Sequence, residues 1–332
     1  MTVNTKPIQP RYWLITSPRT ASNMLVKILN LDGQGVRHAE GGGYFFLPGF
    51  IRRLHQLQNP MNTWTEEQRT EIHETQQQCF NALQDYIAKA EDEGQIIYVK
   101  EHAMFMNDPV KENEHTHGHG VGESQPLKAQ GLEDHSRSKL NLTSLPDVFL
   151  KTWNPTFLIR HPALTLPSYC RAVLSGLEMD GFKRENQDLQ DSEVTLRWIR
   201  SLYDFYAAHF PEGSPWPLVL DADDVMQSQE LVARYAAMAG LDPEKLQFTW
   251  EKAPQEAIEK IPASQQRMLS SLLASNRVDT SKLAGNIDIA KEAIKWRSEF
   301  GEEAGAKLER LVRNAMPDYE YLRSKRLRME QE

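Results

Sequence analysis

The chain alternates between short apolar runs, rich in β-branched and aromatic residues, and longer stretches whose apolar positions recur at helical spacing. Residues 12–17, 96–100, 156–160 and 217–221 read as strands, and 22–31, 65–91, 192–210, 226–239 and 302–314 read as helices. Strands separated by helices predict an α/β fold, with three α/β/α layers around a central, mainly parallel sheet. The stretch 65–91 is polar on most faces, with apolar positions at Ile72, Cys79, Leu83 and Ile87. It predicts a long surface helix on one side of a ligand cleft.

Three segments break this rhythm. Residues 110–141 are rich in His, Gly, Glu, Ser and Lys and poor in large apolar residues, so a mobile loop is expected, placed to cover an acceptor. Its triplet His115, His117 and His119 could chelate a metal. No carboxylate or Cys sits at a spacing that completes such a site, and a solvated loop with no metal is the expectation. A glycine cluster, 41–43, precedes Tyr44, Phe45 and Phe46. Phe45 or Phe46 could line an acceptor pocket or pack the loop onto the core. Asp221, Asp223 and Asp224 follow the fourth strand, where carboxylates could hold a metal but better suit the start of the helix near Met226.

The segment carrying the most chemistry begins where the first strand ends. Ser17-Pro18-Arg19-Thr20-Ala21-Ser22-Asn23 leads directly into a helical pattern. A helix N-terminus offers unpaired N–H groups and partial positive charge, Arg19 adds a full charge, and Thr20 and Ser22 add hydroxyls. A phosphate-bearing ligand suits that turn. It is not the nucleotide triphosphate loop, because no glycine occurs between Met1 and Leu31. A second strand end repeats the theme: Arg160 closes the third run, and Ser168 follows eight positions later at the next helix. In an open α/β sheet, both would border one crevice outside the carboxyl ends of the strands.

The first turn, together with the Arg160–Ser168 pair, resembles the two cofactor loops of the P-loop sulfotransferase family. A third piece, Ile96-Ile-Tyr-Val-Lys100-Glu101-His102, resembles the strand ending in Lys-x-His that supplies the family's catalytic base. The three pieces occur in family order. The resemblance implies binding of 3′-phosphoadenosine 5′-phosphosulfate (PAPS). Arg19, Thr20, Ala21, Ser22 and Asn23 would hold its 5′-phosphosulfate, and Arg160 and Ser168 its 3′-phosphate. It further implies His102 as general base, with Lys100 facing the sulfuryl oxygens and Arg19 offsetting charge on the leaving bridge oxygen, and release of PAP as product. Strand periodicity puts Lys100 and His102 on one face and Glu101 on the other. The chain departs from the family at two points. Ala21 stands where Gly is usual, and the C-terminal Arg-Lys-Gly-x-x-Gly element is absent, the region 286–307 offering Lys291, Lys295, Trp296, Arg297 and Gly301.

The implied activity is sulfuryl transfer to a hydroxyl or amine of a small molecule, including specialised metabolites. The competing expectation keeps the fold but drops the donor. Lys100 and His102 would then run cofactor-free acid–base chemistry, such as an elimination, cyclisation or isomerisation. A nucleotide kinase or hydrolase is disfavoured by the missing Gly-Lys-Ser/Thr loop.

Composition adds boundaries. With 332 residues, one domain is expected over 1–332. The formal net charge of −8 argues against a nucleic-acid partner, although cations focused in a cleft still admit a small polyanion. The sequence contains no 18-residue apolar run, and residues 1–10 show no secretory signal. Two distant cysteines, Cys79 and Cys170, read as reduced thiols, and the expected location is cytoplasmic, away from membranes. The basic stretch 325–328 reads as a solvated tail.

Overall fold

The computed structural model describes residues 9–39, 42–118, 122–174, 178–179, 182–183 and 190–329. Its centre is a four-stranded sheet of β1 (Arg11–Thr16), β2 (Ile97–His102), β3 (Asn154–Ile159) and β4 (Leu218–Asp221), in the order β2-β1-β3-β4. All three pairings are parallel. Register places Thr16 beside His102 and beside Leu158, and Ile159 beside Asp221, so the strands end along one common edge. The chain leaves β1 for β2 on one side and returns to β3 on the other. That reversal opens a crevice between the loops after β1 and β3.

Strand residues alternate between two cores, as a sheet covered on both faces requires. Trp13, Ile15, Val99, Phe157 and Val219 pack with Phe80, Leu83, Trp198 and Tyr206 on one side. Leu14, Tyr98, Leu158 and Leu220 pack with Leu25, Ile28, Val232 and Tyr235 on the other. The predicted three-layer α/β/α arrangement is therefore the one observed.

Helix α1 (Ser22–Leu29) follows β1, and α2 (Leu47–Leu54) packs on α3 (Glu66–Glu93). Thr65 and Gln68 form a capping box that fixes the start of α3. This helix is less superficial than its polar sequence predicts: Gln76 and Gln84 are buried with Phe80 and Leu83 because α2 and the loop 128–130 cover it. The segment 110–141 also differs from the expected loop. Asp108 caps, and Pro109 opens, α4 (Pro109–His117). Beyond it, Leu127 and Ala129 are buried, and Arg137 pairs with Asp108. Composition missed these anchors because scattered apolar side chains together with polar bonds, not a hydrophobic stripe, hold the segment.

The Pro162–Leu174 helix (α5) follows β3, and α6 spans Arg197–His209. The pattern at 226–239 is two helices, α7 (Ala222–Gln227) and α8 (Gln229–Met238), broken at Ser228, whose hydroxyl caps α8. Asp221, rather than its two successors, is the N-cap of α7. Asp223 accepts from the Ala284 N–H, and Asp224 pairs with Arg326. After a short helix at Gln255–Glu259 come α9 (Ala263–Leu273), α10 (Ile289–Phe300) and α11 (Glu302–Ser324). The basic tail is not free: the Leu327 N–H donates to the Val219 carbonyl at 2.8 Å, pairing the exposed edge of β4.

Candidate active site at the carboxyl edge of the sheet

The first strand stops at Thr16 because Pro18 and two left-handed residues bend the chain into α1. Arg19 has φ 68° and Ala21 has φ 64°. The left-handed region costs an L-residue roughly 1–2 kcal/mol. Ala21 is the N-cap of α1 and offers no side-chain acceptor, so no side chain caps the first turn. Thr20 and Ser22 are buried. The Thr20 hydroxyl donates to the Ser17 carbonyl at 2.9 Å, closing the turn on itself.

The two arginine loops converge. Arg160 Nη1 donates to the Arg19 carbonyl at 3.3 Å, and Arg19 Nε donates to Ser168 Oγ at 2.9 Å. Ser168 thus faces Arg19 and links the two loops. Neither guanidinium has a carboxylate among its hydrogen-bond partners in the described residues. Arg19 Nη1 donates to the Met268 carbonyl and Arg160 Nη2 to the Lys282 carbonyl, both at 2.6 Å. Arg160 Nε is buried without a partner. Burial lowers the pKa of both groups; for Arg160 the nearby Asp223 opposes that shift, Arg19 adds to it, and Asp221 opposes it more weakly. Such a pair of partly desolvated cations, with an uncapped helix start and an orphaned donor, fits an anion.

The segment reaching over these arginines is 263–283, which the sequence left unassigned. The region offered for the missing family element lies elsewhere. Lys291, Lys295 and Arg297 pair with Asp288, Glu292 and Glu302 along α10, and Trp296 is buried against Leu308 and Val312.

One strand further out, β2 runs two residues beyond its predicted end and carries Lys100, Glu101 and His102 inside it. Lys100 Nζ meets Asn23 Oδ1 and lies 4.3 Å above the Tyr44 ring. Burial pushes this amine down to about 8, with Glu101 acting the other way. His102 is only 8% exposed, and its Nδ1 lies 2.5 Å from Thr16 Oγ1. Burial, then Lys100, hold the imidazole well below its ordinary pKa, so it is neutral at pH 7. With Nδ1 engaged by Thr16, Nε2 is the free nitrogen. Glu101 points away, accepting from the Phe46 N–H and the His102 N–H at 2.9 Å each. Burial pushes its carboxyl up to about 8 against those two bonds and Lys100.

Sequence reasoning identified Phe45 and Phe46 near this place but missed Tyr44. Phe46 belongs to the core at 1% exposure, and Phe45 packs on Tyr86. Tyr44 is the aromatic residue against His102, with ring centroids 4.7 Å apart. The available signal was the glycine cluster before it. Of the histidine triplet, His117 Nε2 lies 2.9 Å from the Leu57 carbonyl, and His115 packs on Trp198. His119 and Gly41 lie outside the described residues. Among the described residues, no group of three or more His, Cys, Asp or Glu is placed to hold a metal, and no helix is long and apolar enough to cross a membrane. Both cysteines are buried and unpaired with each other.

Fold and site together define an α/β protein in which two half-buried arginines meet at the carboxyl edge of a parallel sheet, beside a buried neutral imidazole. No protein-family model matches the chain. It is 41% identical over 349 residues to Sulfotransferase ppzF of Metarhizium majus (strain ARSEF 297), covering 99% of both chains. It is also 41% identical over 336 residues to Sulfotransferase ppzF of Metarhizium rileyi (strain RCEF 4871), covering 96% of each. A solved sulfotransferase domain from the curacin biosynthetic pathway aligns with a TM-score of 0.37 and 13% identity, over 88% of this chain and 97% of that one. The chain belongs to the sulfotransferase family, and is a transferase.

Proposed function

We propose that the chain moves a sulfuryl group from PAPS to a hydroxyl or amine of a small-molecule acceptor, with His102 as general base. The observation carrying this reading is the meeting of Arg19 and Arg160, neither hydrogen-bonded to a carboxylate among the described residues, beside the strand end that bears Lys100 and His102. When bound, the donor supplies an activated sulfuryl group on a phosphate. Arg19 and the uncapped start of α1, with Ser22 and Asn23, bind the 5′-phosphate side. Arg160, with its orphaned Nε, and Ser168 bind the 3′-phosphate. The Ala21 backbone, already left-handed, exposes its neighbours' N–H groups to that anion.

Catalysis then rests on positioning and charge. His102 Nε2 accepts the acceptor's proton while Thr16 holds Nδ1 and fixes the ring. Lys100, oriented by Asn23, offsets negative charge on the transferred group. The relatives named sulfotransferase support this chemistry over a donor-free reaction. Calorimetric titration with PAP tests it: stoichiometric binding is expected, and a silent titration would favour the cofactor-free alternative. His102→Ala should lower transfer by a factor of about 10²–10⁴, as for a lost general base, while PAP binding stays nearly intact.

A further inference from the structure

We propose that Tyr44 fills the acceptor's position in the resting enzyme and decides which acceptors gain access to His102. The inference rests on the reading of His102 as the base. Three neighbours define the place. The Tyr44 ring lies 4.7 Å from the His102 ring, 5.8 Å from the edge-on Phe105 ring, and 4.3 Å beneath Lys100 Nζ. Its hydroxyl engages the Ser22 side chain at the start of α1. A phenol ring therefore already stands among the base, the lysine and the anion turn. An acceptor oxygen must come within about 3 Å of the base nitrogen. Both rings cannot occupy that space, because close-packed side chains exclude a second group of this size.

The backbone explains how Tyr44 arrives there. Gly42 and Gly43 have φ 77° and 94°. A Cβ on Gly43 would come within 3.1 Å of the Lys100 carbonyl and 3.2 Å of its nitrogen. Only glycine lets the segment lie directly on β2 and present the next side chain to residues 100 and 102. Gly42, exposed and with only the Lys100 ammonium near its Cβ position, gives the segment a conformationally permissive joint on the N-terminal side of Tyr44. Residue 44 is itself partly exposed. The group that displaces it is a hydroxylated planar ring, which meets the same cation above its face and the same imidazole at its side.

The test reads access to His102 with no donor present. Site-resolved mass spectrometry would follow carbethoxylation of each histidine by diethyl pyrocarbonate in the wild type, Tyr44→Phe and Tyr44→Ala. His102 in the wild type should react slowly. Tyr44→Ala should accelerate its modification tenfold or more, and Tyr44→Phe several-fold, since that variant keeps the ring but loses the hydroxyl's hold on Ser22. Unchanged His102 reactivity in Tyr44→Phe and in a folded Tyr44→Ala overturns the proposal. With PAPS and 4-nitrophenol as probe acceptor, Tyr44→Phe should lower KM with kcat retained. A rise in KM would make Tyr44 a fixed wall and likewise overturn the proposal. Wild-type PAP titration separates the two readings. A silent titration with accelerated His102 modification removes the donor and keeps the Tyr44 assignment, whereas PAP binding with unaltered modification does the reverse.

Discussion

At residue 21 a methyl group sits where the backbone has turned left-handed, with φ 64° and ψ 22°. Relief of that strain opposes the extra freedom glycine brings to the unfolded chain. Ala21→Gly should therefore raise the unfolding free energy by about 0.5–1 kcal/mol in urea melts, with PAP binding unimpaired; a loss of stability would mean the turn relaxes in solution. With His102 as the proposed base and Lys100 beside it, the pH dependence follows from these two residues. His102 is deprotonated above a pKa held well below 6.5, so a proton-accepting ring is present throughout the neutral range. Lys100 loses its charge as pH rises through about 8. The profile of kcat/KM should be flat around pH 7, fall on the alkaline side near pH 8, and fall on the acid side only well below 6.5. An acid limb centred at or above 6.5 would contradict the buried, neutral imidazole.

At the scale of elements, the turn that follows β2 depends on one buried ion pair. Arg53 of α2 and Glu112 of α4 are 0% and 1% exposed and bond through Nε and Oε2 at 2.6 Å. Arg53 also donates to the carbonyls of Met104 and Phe105, and Asn107 donates to Glu112. These bonds pin the residues immediately beyond His102, including the Phe105 ring that stands 5.0 Å from it. Removing one partner of such a pair leaves the other buried and uncompensated. Arg53→Met should cost about 3–5 kcal/mol in denaturant unfolding, far more than loss of a surface pair such as Arg37–Glu93. A loss under about 1 kcal/mol would show the network to be dispensable.

For the molecule as a whole, the sheet order decides function. Strands that reverse direction of progression at β1 bring residues 141 positions apart, Arg19 and Arg160, into hydrogen-bonding contact. Arg160→Ala should therefore weaken PAP by about 30-fold or more, the loss of roughly 2 kcal/mol for a desolvated charged contact. His102→Ala, on the neighbouring strand, should leave that affinity alone. Equal effects of the two substitutions on PAP affinity would mean that donor and acceptor sites are not separable in this fold.

Much of this was legible in the sequence because it is local. Four apolar runs gave the four strands of the central sheet to within two residues at each end, and the turn after β1 announced its charge and hydroxyls directly. Residues 263–283 were not legible, since the apolar residues of α9, among them Met268, Leu269, Leu272 and Leu273, belong to a helix none of whose described side chains is fully buried. The Met268 and Lys282 carbonyls reach the arginines only through tertiary packing. Tyr44 was missed for a related reason: a glycine pair shows that the backbone bends, not which of three following aromatic rings turns inward. The reach of β2 to residue 102, the burial that neutralises His102, and the meeting of the two arginine loops all depend on neighbours distant in the chain. Alternating hydrophobicity is a property of successive residues and survives in a linear reading. Desolvation and charge proximity are properties of three-dimensional neighbourhoods and come into being only when the chain has closed around them.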